Sequence, residues 1–312
     1  MAGQTNVTTT GAYASLHDLL QLRHLARELS PPELPRTTNP LSGLLTSKFQ
    51  GRGIDFSEVR VYQPGDDVRT IDWRVTARTQ TPHTKLFQEE KERPVLILAD
   101  QCAGMFFGSR VRFKSVAAAE AAALVAWLHL REGDRVGGIV FSDTGHREVR
   151  PRRSKHSVLR FVHELHDFNQ ALNRECTHGG SQPLTEALSN VRRVARHGCA
   201  VYLITDFRNL DDQGLLHLRQ IARHNDIVGI QVFDPMEREL PAPSTYTISD
   251  GNQRVRIDAA RAANRNRYET LFATFASDIA AEFSRLKAQL YTLSTTESMA
   301  GQLALDRTQV SA

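Results

Sequence analysis

Two aspartates stand at the ends of short apolar runs: Asp100 directly after Val95-Leu96-Ile97-Leu98-Ala99, and Asp206 after Ala200-Val201-Tyr202-Leu203-Ile204 and one threonine, Thr205. A wholly apolar run of that length predicts a strand buried on both faces of a parallel sheet. In open α/β sheets, ligands bind beyond the carboxyl ends of the strands. The hydroxyls of Ser181 and Thr185, in GGSQPLTEAL, are expected at the same edge. Carboxylates, a hydroxyl and water make an oxygen-rich set suited to Mg²⁺. The competing role for both aspartates is to cap loops by accepting backbone amides at the sheet edge.

A second group of carboxylates lies in residues 48–93, KFQGRGIDFSEVRVYQPGDDVRTIDWRVTARTQTPHTKLFQEEKER, which carry nine Lys or Arg and eight Asp or Glu. Asp66 and Asp67 follow a Pro-Gly turn signal, and Asp72 precedes Trp73. Gathered in an open pocket, Asp66, Asp67 and Asp72 would serve a metal-dependent hydrolase, with arginines as electrophilic clamps. Arg69 and Arg74 compete for those charges, and a guanidinium grips a carboxylate bidentately. A lattice of Arg–Asp pairs around Trp73 is therefore the expected arrangement. Ile54, Phe56, Val61, Ile71, Trp73 and Phe87 are interleaved with the charges. Such anchors argue for a folded element, since a disordered charge run lacks them.

Other candidates are more ordinary. HREVRPRRSK, with Arg147, Arg150, Arg152, Arg153 and Lys155, is the most basic local run. It would suit nucleic acid or an anionic membrane, or else form a solvated loop. His163 and His166 lie in HELH, which lacks the HExxH pattern and a third ligand, so they read as surface or satisfied core residues. Cys199 precedes an apolar strand and reads as a small buried hydrophobe. Neither GxxxxGK[ST] nor GxSxG occurs. With no recognisable nucleophile arrangement, the chain reads as a non-enzyme.

The 312 residues are 40% apolar, enough for a substantial core, and the net charge of +4 is mild. No block of like charge supports nucleic-acid binding. Cys102, Cys176 and Cys199 are scattered, with no CxxC pair, which fits a reducing compartment. The first residues lack a basic and an apolar region of secretory type, and the apolar run 116–130 is too short to span a bilayer. The expectation is a cytoplasmic protein with no transmembrane segment.

The elements that must position these residues follow from periodicity. Leu16, Leu19, Leu20, Leu22, Leu25 and Leu29 predict a helix. Strands are expected at 56–62 and 83–88 within the charged segment. From Pro94 onward strands at 95–99, 135–141, 200–204, 227–233 and 289–293 alternate with helices at 115–130, 154–168, 184–196, 215–224 and 259–288. Arg147 to Arg150 is placed beside the second of those strands. Gly137-Gly138 is expected to let a helix approach closely. A hairpin is expected at 246–257, and a last helix at 299–305. The alternation predicts a doubly wound, mainly parallel α/β sheet flanked by helices. The organisation expected is a polar tail at 1–12, an N-terminal helix plus charged β-rich segment at 13–93, the α/β domain at 94–305 with its hairpin near 245–258, and a tail at 306–312.

GRGIDFSEVRVYQPGDDVRTIDWRVTAR, followed by KLFQEEKERP, resembles the signature of the bacterial family called domain of unknown function 58. The signature positions are Arg52, Asp66, Asp67, Arg69, Asp72, Trp73 and Arg78. The resemblance covers nearly the whole chain and implies a von Willebrand factor type A-like domain. It also implies a MoxR-type AAA+ ATPase as partner, in assembly or remodelling of protein complexes. A metal-ion-dependent adhesion site is implied too, with a first loop of the form Asp-x-Ser-x-Ser. Here that loop is Asp100-Gln101-Cys102-Ala103-Gly104, so Cys102 and Gly104 replace both serines. The later threonine of the site corresponds to Ser181, or next to Thr185, and its later aspartate to Asp206. The resulting degenerate site, Asp100, Ser181 and Asp206, is the expected docking edge, with or without Mg²⁺.

Overall fold

Runs rich in valine, isoleucine and leucine become strands, and the Ala- and Leu-rich segments between them become covering helices. The computed structural model describes residues 11–29, 31, 55–63, 68–88, 93–173, 182–249, 254–298 and 300–301. In chain order the elements are α1 (Leu16–Leu25), β1 (Asp55–Val61), α2 (Trp73–Thr79), β2 (His83–Gln88), β3 (Pro94–Asp100), α3 (Lys114–Arg131), β4 (Arg135–Ser142), β5 (Gly145–Arg152), α4 (Lys155–Ala171), α5 (Pro183–Val194), β6 (Ala200–Thr205), α6 (Asp212–Ala222), β7 (Asp226–Phe233), α7 (Pro235–Arg238), β8 (Thr245–Ser249), β9 (Arg254–Asp258), α8 (Ala262–Arg285) and β10 (Gln289–Ser294). They fall in two compact units, residues 1–36 with 93–312, and residues 37–92.

The larger unit is a mixed α/β layer structure around a six-stranded sheet of order β10-β7-β6-β3-β4-β5. All neighbours are parallel except β5, which runs antiparallel to β4. Strand β3 shows why its sequence is apolar throughout. Val95, Ile97 and Ala99 enter one core, shared with α1, α3 and α4. Leu96 and Leu98 enter the other, shared with α5, α6 and α8. Alternation by two puts successive side chains on opposite faces, and here both faces are covered.

Helix α3 is buried at every residue from Lys114 to His129. A helix apolar on all sides must be covered on all sides. Helix α1 supplies the outer cover, and Trp127 Nε1 donates to Leu19 O at 3.2 Å. The first helix therefore belongs to the sheet unit, not with the charged segment as the sequence division at Pro94 had it. The glycine pair in β4 does allow close approach. A Cβ on Gly138 would meet Phe161 of α4 at 2.3 Å, and one on Gly137 would meet the β5 backbone at Val149 O at 2.3 Å.

In the smaller unit β1 pairs antiparallel with β2. Between them lie a 3-10 turn at Val68–Thr70 and α2, neither of which periodicity announces. Helix α7 is likewise an addition, too short to leave a periodic signal. Helix α8 starts at Ala262, not 259, and Leu271 on it is 62% exposed. Most of the helix expected at 299–305 lies outside the described residues. Among the described residues no helix is long and apolar enough to cross a membrane.

Candidate strand-end site

The pairing of β3 with β6 brings Asp100 and the residue after Thr205 to the same edge of the sheet, as the apolar runs required. Both aspartates are buried, at 5% and 7% exposure. Asp100 closes its own loop: Oδ1 accepts Cys102 N at 2.8 Å, and Oδ2 accepts the Thr205 hydroxyl at 2.6 Å. Burial, then the charge of Asp206, push the Asp100 carboxyl up to about 6. Asp206 Oδ1 accepts Arg208 N at 3.0 Å. Between those two residues Phe207 is held at φ 59° and only 2% exposed, stacked edge-on against Phe283. A bulky side chain at positive φ is an outlier that the surroundings must enforce. Here a buried aromatic and an aspartate–amide bond enforce it, and Arg208 is left facing solvent.

The remaining Asp206 oxygen meets a side chain that pattern reading passed over. Lys114, at the first turn of α3 and 1% exposed, donates from Nζ to Asp206 Oδ2 at 2.7 Å and to Glu237 Oε1 at 2.9 Å. Burial works against the ammonium charge, but Asp206 and Glu237 outweigh it and hold the lysine above its ordinary value. Burial alone would likewise raise Asp206; the Lys114 ammonium instead draws it below the usual carboxylate range. Glu237 also meets Arg208 Nε at 3.3 Å, and its other oxygen accepts Asp234 N at 3.0 Å in the capping box of α7.

A third aspartate follows β7. Asp234 is fully buried and accepts Ser109 N and Oγ, Met236 N and the Thr295 hydroxyl. Burial alone would raise it, but those donors hold it low. Ser109 lies in the β3–α3 loop, which is also pinned where Asp143 accepts Ala103 N at 2.6 Å. The strand-end loops are thus tied to one another by buried and half-buried carboxylates.

The fit of a divalent ion can be judged from these donors. Cys102 is buried, and burial pushes its thiol well up, so it is a neutral neighbour and a poor ligand for Mg²⁺. Gly104 offers no side chain. The Thr185 hydroxyl donates to Asp211, the N-cap of α6, at 2.6 Å. Ser181 lies outside the described residues. Among the described residues no group of three His, Cys, Asp or Glu is arranged to hold a metal. At an effective dielectric near 20, unit charges ~4 Å apart interact by about 4 kcal/mol, and a divalent ion beside an ammonium would feel about twice that as repulsion. The residues described here do not fit Mg²⁺.

Elsewhere, Asp72 caps α2 by accepting Arg74 N at 3.0 Å and Val75 N at 3.2 Å. Trp73 is 67% exposed, so the indole lies at the surface. Arg69 and Arg78 are also exposed, and Arg52, Asp66 and Asp67 lie outside the described residues. Of the basic run, Arg147, Arg150 and Arg152 fall on edge strand β5, while Arg153 and Lys155 flank the α4 cap residue Ser154. His163 donates to Leu159 O and His166 to Ala14 O, so neither faces the other as a ligand pair. Cys199 is buried, as its place before an apolar strand suggested.

The signal that could have found Lys114 is electrostatic. A cation in the first turn of a helix faces the positive end of the helix dipole. In an otherwise Ala- and Val-rich segment, such a lysine calls for carboxylates from elsewhere.

The family model for "Protein of unknown function DUF58" matches residues 58–276. The chain is 30% identical over 230 residues to uncharacterized protein Mb1516 of Mycobacterium bovis, covering 70% of each chain. It has the same identity and coverage with uncharacterized protein Rv1480 of Mycobacterium tuberculosis. A solved structure, the conserved hypothetical protein BatB from Bacteroides thetaiotaomicron, aligns with TM-score 0.43 and 16% identity over 70% of this chain and 98% of that one. With a family match that spans most of the chain and takes in its charged segment from residue 58 onward, this protein belongs to the DUF58 family.

Proposed function

We propose that the sheet unit is a von Willebrand factor type A-like, non-enzymatic docking module whose partner binds at the carboxyl ends of β3 and β6. The observation that carries this reading is the contrast between buried and exposed groups at that edge. Asp100, Lys114, Asp206 and Asp234 are buried and bonded, while Phe107 and Arg110 on one loop and Arg208 on the next are exposed. Loops anchored from below present their outer side chains at low entropic cost, which favours binding. Arg208, with its guanidinium 5.5 Å from the Phe275 ring centroid, offers a cation to a partner carboxylate. A MoxR-type AAA+ ATPase is the partner that the family resemblance suggests, with a role in assembling or remodelling other complexes. The test is capture of such an ATPase from the same genome by the wild-type chain and by Arg208→Glu, in ATP and in ADP. Association of the wild type that drops at least tenfold in Arg208→Glu supports the reading; no association in either nucleotide sinks it.

A metal-dependent hydrolase at Asp66, Asp67 and Asp72 gains no support from Asp72, which is occupied in capping α2. A nucleic-acid or membrane surface at Arg147–Lys155 gains none either, since Glu148 sits among those arginines, 3.7 Å from Arg150 and 4.0 Å from Arg193.

A further inference from the structure

We infer that Lys114 is the resident cation of the strand-end site: its ammonium bridges Asp206 and Glu237 permanently, with Arg208 as the second cation on Glu237, in the place a bound divalent ion would otherwise take. The geometry is that of a closed ion cluster. The ammonium is nine-tenths or more buried, lies within 3 Å of one carboxylate in the loop after β6 and one in α7, and reaches them from a third element, α3. Asp206 sends its other oxygen to the backbone of Arg208, and Glu237 its other oxygen to the backbone of Asp234. A metal ligand set needs carboxylate oxygens free to turn toward the ion, with hydroxyls or water completing the shell. Here each carboxylate is oriented by a loop amide on one side and by the lysine on the other.

A tethered cation differs from a metal in one decisive way. It cannot dissociate, so the loops after β3, β6 and β7 are held together at any free Mg²⁺ concentration. The loss of the two serines at Cys102 and Gly104 is then compatible with an ordered site, because no ion has to be recruited. If the docking reading above is right, partner binding at this edge is indifferent to chelators; the cation assignment itself does not depend on a partner.

The experiment uses the full chain without a partner. Thermal unfolding and calorimetric titration are run in EDTA, in millimolar Mg²⁺ and in millimolar Mn²⁺. The wild type is expected to show the same Tm in all three and no saturable heat. Saturable binding of either ion that is lost in Asp206→Asn overturns the inference. In parallel, Lys114→Met keeps the side-chain length and removes the charge, and is expected to lower Tm by roughly 10 °C, as breaking a buried pair does in a domain of this size. Lys114→Met with wild-type Tm overturns the inference as well. Should Lys114→Met fail to fold, the neutral pair Lys114→Met with Asp206→Asn is expected to fold and the wild-type metal titration remains decisive.

Discussion

The charged signature segment and the strand-end cluster are both built from carboxylates and cations, and they behave in opposite ways. The signature is dense in charge, yet Arg69, Arg74, Arg78 and Trp73 face solvent, and Asp72 serves as a helix cap. The strand-end cluster is sparse, and its members are buried and matched one by one. Charge density in a sequence is thus a poor guide to electrostatic energy. Burial sets the scale, because an exposed pair contributes about 0–1 kcal/mol whereas breaking a buried one costs about 3–5 kcal/mol.

Substitutions in the two regions should separate by that scale. Asp206→Asn is expected to cost about 3 kcal/mol or more in chemical denaturation, since it removes half of the charge holding Lys114. A cost under about 1 kcal/mol would place the cluster with exposed pairs.

Asp100→Asn should go the other way. The Asp100 carboxyl is raised to about 6, so the native state holds its proton more tightly than the unfolded chain does. Between the ordinary carboxylate value and about 6, stability therefore falls as pH rises, and above that window the loss is constant. A shift of this size corresponds to a penalty on the order of 3 kcal/mol at neutral pH. Asn at this position keeps an acceptor for Cys102 N and removes the repulsion with Asp206. Denaturation midpoints from pH 4 to 8 should show a gain of about 1–3 kcal/mol at pH 7 and a flattened decline between pH 4 and 6. A loss of stability at pH 7 with the decline intact would contradict this account of Asp100.

In the signature, Asp72→Ala should cost about 1 kcal/mol, the usual value of an N-cap, by the same measurement. Arg78→Ala, on an exposed face of α2, should stay within about 0.5 kcal/mol. A cost of several kcal/mol for Arg78 would reveal a structural role that its exposure does not suggest.

These contrasts also explain what the sequence could and could not tell. β3 and β6, and the two aspartates after them, were legible because a strand covered on both faces must be apolar throughout and must end where polarity returns. The glycines of β4 were legible because close packing excludes a Cβ. Lys114 was not, because its partners are 92 and 123 residues away and depend on the sheet order to arrive. The same holds for Thr205 on Asp100, 105 residues apart. Thr185 was legible as part of a helix start, but its hydroxyl goes to the cap of α6. The exposure of Trp73 was not legible, because its place at the first position of α2, which leaves the ring outside, has no periodic signal in so short a helix.

The most direct test of a buried, self-contained ion cluster is a double-mutant cycle between Lys114 and Asp206, read by chemical denaturation at pH 7. Lys114→Met, Asp206→Asn and the double variant should give a coupling energy of at least about 2 kcal/mol, with the double variant more stable than the two single losses would sum to. Additivity within about 0.5 kcal/mol would mean that the two groups do not depend on each other, and would contradict the account.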